Sequence, residues 1–148
     1  MLSKNITKSE KAKKKLFKYH GQSIKWLNDL EFVKGEQIFL EHLLSSHFLD
    51  LSTTKLYEPT RKLIKKLVTV EHMGNQLFDT IQLHNKYLST LIESSKLRDK
   101  KEYKKEHKKI EKDFDIYLLH FKNVKKKIFN MIKEIMKSKK QKLLIKKQ

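Results

Sequence analysis

The chain has 148 residues with three glycines, one proline and no cysteine, which suits one domain with a modest core and leaves little room for a turn-rich β fold. Without cysteine there is no disulfide framework, no thiolate metal ligation and no catalytic thiol. The net charge of +18 selects anionic partners as a class, namely phosphate backbones, anionic lipid headgroups or acidic proteins, without choosing among them.

All the basic residues but Arg61 and Arg98 are lysine. Arginine carries the planar fork that reads guanine and clasps phosphate in a bidentate way, so its scarcity argues against sequence-specific base reading.

The first segment, residues 1–21, holds seven lysines against Glu10 and reads as a basic arm, mobile or weakly helical, whose Leu16, Phe17 and Tyr19 are able to dock. No apolar stretch follows Met1–Ile6, so no secretory signal is expected and the location expected is cytoplasmic. Apolar runs such as Ile116–Leu119 are too short to span a bilayer.

The body, residues 22–136, predicts three helices. The first covers about 23–51, with Trp26, Leu30, Val33, Leu40, Leu44 and Leu51 on one stripe and Gln37 and His47 filling the remaining stripe positions. Ser52-Thr53-Thr54 breaks it, and Pro59 suits the first turn of the next helix, where its missing N–H costs nothing. That second helix, about 59–95, steps by threes and fours through Leu67, Val70, Gly74, Leu77, Ile81, His84, Leu88 and Leu91 in the manner of a coiled-coil seam.

After a break at Ser94-Ser95, Asp99 and Glu102 form a capping-box-like start. The third helix, about 100–136, keeps the same steps through Tyr103, His107, Ile110, Phe114, Tyr117, Phe121, Val124, Ile128, Met131 and Ile135. Short connections make neighbouring helices antiparallel. The expected fold is therefore all-α, an elongated antiparallel three-helix bundle with coiled-coil-like packing, and residues 137–148 are a lysine-rich extension of its last helix.

Antiparallel pairing sets Gly35 level with Gly74, a place where two helix backbones can approach closely. It also sets His84 opposite Glu111, with His107 one turn away and His20 flanking. His84, His107 and Glu111 are the candidate polar pair or metal ligands, since His107-x-x-x-Glu111 puts two of them on one helical face. Against a metal, helical diiron sites need Glu-x-x-His pairs, and none occurs in the chain. A histidine hydrogen-bonded to a glutamate and fixing register is the plainer expectation. Asp29, Glu36 and His47 read as a polar flank that faces water or lysines of a neighbouring helix.

No Gly-rich phosphate loop, nucleophile elbow or zinc signature is present, so catalysis is not expected. No cofactor and no small-molecule substrate are expected either. Positive charge concentrates at the ends: from Asn123 to Gln148 there are ten lysines against Glu134. Lys125, Lys126, Lys127, Lys139, Lys140 and Lys142 are the candidate contacts to an anionic partner, nucleic acid or an anionic membrane surface. Apolar flanks beyond the seam, such as Phe32 and Phe39 or Ile64 and Phe78, point instead to a protein partner, self or other. The leading expectation is accordingly a non-enzymatic helical bundle that works by association. Non-specific nucleic-acid binding through the termini is the alternative, and a histidine/carboxylate metal bundle a weaker one.

Overall fold

The computed structural model describes residues 7–52, 55–94 and 101–146. The first six residues of the arm, Thr53-Thr54, Ser95, the Asp99 cap and the last two residues lie outside them. Among the described residues every element is an α-helix: α1 Lys8–Ser46, α2 Phe48–Ser52, α3 Tyr57–Glu93 and α4 Lys101–Lys146.

The segment read as an arm is helical from Lys8, which corrects the predicted start at 23. The Glu10 N–H donates to Thr7 Oγ1 at 3.2 Å and the Lys11 N–H to the Thr7 carbonyl at 3.1 Å. Thr7-x-x-Glu10 thus has the spacing of a capping box and satisfies a donor that a helix start otherwise leaves open. Leu16 and Tyr19 are buried and extend the apolar stripe through Ser23 into Trp26 and Leu30. The lysines of this stretch are all exposed, on the faces the stripe leaves to solvent. At its other end α1 stops at Ser46 rather than 51. His47 forms a turn, and α2 then buries Leu51.

α3 opens with the Thr60 N–H on the Leu56 carbonyl at 2.9 Å. Pro59 occupies the first turn, where no intrahelical acceptor exists for an N–H. All ten α4 seam residues from Tyr103 to Ile135 are buried. The next seam positions are Ser138, Lys142 and Ile145, and from Met136 to Lys146 every residue is exposed. Packing ends at Ile135 because lysine and serine replace apolar residues in phase, while the helix itself continues.

The chain forms two compact units. One comprises the chain up to Phe32 with Gly74–Ile116, the other Val33–Met73 with Tyr117 onward. In the first, Leu16, Tyr19, Leu88, Leu91 and Tyr103 form a buried cluster with Tyr87 and Ile92 against it. His20 bonds Ser89 at 3.0 Å and the Ser23 hydroxyl donates to Asn85 Oδ1 at 2.6 Å, so numbering rises on α1 as it falls on α3. In the second unit the core draws on Leu40, Leu44, Leu51, Leu63, Leu67, Phe121 and Ile128. There the Thr60 hydroxyl lies 3.0 Å from Met131 Sδ.

Candidate functional site

The first unit holds a buried polar group built from α1, α3 and α4. His84 Nε2 lies 2.9 Å from His107 Nδ1, and His107 Nε2 lies 2.7 Å from Gln22 Oε1. Oε1 only accepts, so His107 carries its proton on Nε2, and its Nδ1 accepts from the Nε2–H of His84. His84 Nδ1 is then bare, without a hydrogen-bond partner, 3.8 Å from the Glu106 carboxylate.

The His107 ring stacks on Tyr19 with centroids 3.8 Å apart and planes 6° from parallel, and Trp26 packs against it at 4.7 Å. Burial holds His84 below its ordinary pKa, with Glu106 opposing. Burial, and then the neighbouring His84, push His107 down to about 4.

The predicted pair is thereby corrected in one member. His84 and His107 meet each other, while Glu111 is exposed and Glu106 is the carboxylate beside His84. The register lies one helical turn from the expected one. A seam repeating every three and four residues looks alike after a turn, so the apolar pattern could not separate the two registers. Among the described residues no group of three or more His, Asp or Glu is arranged to hold a metal ion. Both rings are only 1% exposed, so the pair is a buried polar contact between α3 and α4, shielded from water.

Gly35 is corrected as well. It is exposed, and a Cβ built there meets nothing within 4 Å, so it marks no close approach of helices. It falls between the seam residues Val33 and Gln37, on the opposite side of α1. Gly74 is buried on the α3 seam.

The six candidate lysines divide. Lys125 bonds Glu36 at 2.5 Å and Lys139 pairs with Asp50 at 2.6 Å, so Glu36 does face a lysine of a neighbouring helix. Lys126, Lys140 and Lys142 are exposed. Lys127 joins Lys62 and Lys66 around an open pocket of about 350 Å³ whose apolar lining includes Leu56, Leu63 and Met131. The proximity of Lys127 lowers the Lys66 pKa, the expected response of one ammonium to another. Asp29 is half-buried, and His47 Nδ1 lies 4.0 Å from Asp50.

A second feature is only partly legible in the sequence. On α1, opposite the buried stripe, Phe17, Ile24, Phe32 and Phe39 are exposed, with Phe32 at 69%. Gly21, Asn28 and Gly35 share that face and are exposed too. The spacing of seven, from Phe17 to Ile24 and from Phe32 to Phe39, is the signal that finds it.

The chain matches no family model, no curated protein and no solved structure. Its functional reading therefore rests on the faces and side chains described above.

Proposed function

We propose that the protein is a non-enzymatic, cytoplasmic helical bundle that works by association, as a homo-oligomer or an adaptor, through the outward face of α1. In this reading α1, α3 and α4 pack as an antiparallel three-helix bundle with coiled-coil-like seams. The unbroken three-and-four spacing and the interhelical bonds at His84–His107 and Thr60–Met131 support that packing.

The observation that carries the function is the second apolar stripe of α1. A helix whose core face is already covered has no folding reason to place Phe17, Ile24, Phe32 and Phe39 in water, and a contiguous apolar strip of this kind marks an interaction surface. Laying such a strip against another helix removes it from solvent by ordinary ridge-and-groove packing.

Light scattering in line with size exclusion, on untagged protein, tests the reading. A salt-stable oligomer or protein complex that is lost in Phe32→Glu/Phe39→Glu is the expected result. A monomer at high concentration, with no protein co-purifying and no difference in the variant, overturns it.

One observation favours a second reading, anion binding through the end of α4. Residues 137–146 stay helical with every side chain exposed, so Lys137, Lys140, Lys142 and Lys146 are presented to solvent beside Leu143, Leu144 and Ile145, while Lys139 pairs with Asp50. This end of the chain would then bind nucleic acid or an anionic membrane non-specifically, with steep salt dependence. Removal of residues 137–148 should abolish that binding; unchanged affinity and salt slope would rule the assignment out.

A further inference from the structure

The outward stripe of α1 is palindromic about Asn28. Phe17 and Phe39 stand equally far from Asn28 on either side, as do Ile24 and Phe32, and so do Gly21 and Gly35. All seven positions are exposed, and an added Cβ at either glycine meets nothing.

Charge follows the same division. The half of α1 before Asn28 carries seven lysines against Glu10, while the half after it carries Asp29, Glu31, Glu36 and Glu41 against Lys34.

We infer that the occupant of this face is a second copy of the same chain, with the two α1 helices antiparallel and a two-fold axis passing beside Asn28. The inference rests on the association reading above and names its partner. In that register Phe17 lies level with the partner's Phe39, Ile24 with the partner's Phe32, and Gly21 with the partner's Gly35. Ile24 and the partner's Phe32 stack between the two glycine levels, where the backbones come closest, and Phe17 and the partner's Phe39 stack just outside them.

The two Asn28 side chains meet at the axis. A lone amide in an apolar seam is a device that fixes register and orientation, because a slip leaves it buried without its partner. The basic half of each α1 then runs beside the acidic half of its mate, whereas a parallel pair would set lysines beside lysines. A two-fold arrangement is also self-complementary and closes at two copies.

The absence of cysteine makes the test direct, since one introduced thiol is the only thiol. Asn28→Cys should form a disulfide-linked dimer under mild oxidation, because the axis brings residue 28 against itself within the reach a disulfide requires. Lys14→Cys should not. A spin label at position 14 should report a separation of about 42 Å along the helices, twice fourteen residues at ~1.5 Å each.

Cross-linking at position 14, or a dimer that cross-links at neither position, would overturn the antiparallel register and leave the association reading standing. A complex with a different protein that is lost in Phe32→Glu, without any self-dimer, would do the same. A monomer without partners would end both. All substituted positions are exposed, so folding does not confound the result.

Discussion

His107 sits at the junction of three helices, and its protonation state is set by where it sits. Buried between Tyr19 and Trp26 it binds a proton far less readily than the same imidazole in the unfolded chain. Between its unfolded value near 6.5 and its folded value of about 4 the unfolded chain holds more protons, so stability falls as pH drops through that window. The loss accumulates from about pH 6.5, is complete only below pH 4, and amounts to roughly 3 kcal/mol. Denaturant titrations at pH 7 and pH 4.5 should show it, and His84→Leu/His107→Phe should flatten the slope. Gln37 offers the opposite sign: its side-chain nitrogen is buried without a hydrogen-bond partner. Gln37→Leu is expected to raise stability by about 1–2 kcal/mol in the same titration. The sequence placed Gln37 on the stripe and His84 near His107. It could not give the tautomers or the stacking, which depend on ring orientation rather than on spacing.

At the scale of helices, α1 contains two exposed glycines in the interior of a 39-residue helix. Each costs backbone entropy without relieving any contact, so Gly21→Ala and Gly35→Ala should each stabilise the fold by about 0.5–1 kcal/mol. In the proposed two-fold pairing of α1 the same substitutions should weaken self-association, because glycine would there set how near the two backbones come. Chemical denaturation and concentration-dependent light scattering would then move in opposite directions, a signature that a purely structural glycine lacks. Helix α4 shows the complementary case. Removing residues 137–148 takes away no buried side chain among those described, and thermal stability should change by less than about 0.5 kcal/mol. Periodicity made α3 and α4 legible within a few residues, because long seams of apolar residues outweigh local noise. The start of α1 is hard to read from the sequence because its lysines mask a stripe that Leu16 and Tyr19 begin, and because a single Thr7-x-x-Glu10 cap is a short signal inside a run of like charge.

For the whole molecule, charge and apolar surface act on separate features. A net charge of +18 on 148 residues repels itself, and salt screens exposed charges over a Debye length of about 8 Å near physiological strength. The melting temperature should therefore rise as sodium chloride is added, by roughly a few degrees between low and moderate salt. A melting temperature that falls with salt would mean that pairs such as Lys125–Glu36 and Lys139–Asp50 dominate instead. The all-α class was legible in full from glycine and proline scarcity and from the seams. The exposed apolar face of α1 was half legible, through Phe32 and Phe39, since a face is recognised as spare only when another has been shown to fill the core.

Trp26 is the single tryptophan of the chain, and it packs against the His107 ring at 4.7 Å. An excited indole donates an electron readily to a protonated imidazole and hardly at all to a neutral one. The intrinsic emission of the folded protein should thus be bright at neutral pH and dim as His107 gains its proton near pH 4. The chain carries its own optical probe of the buried histidine pair, readable without a label and before any unfolding is scored.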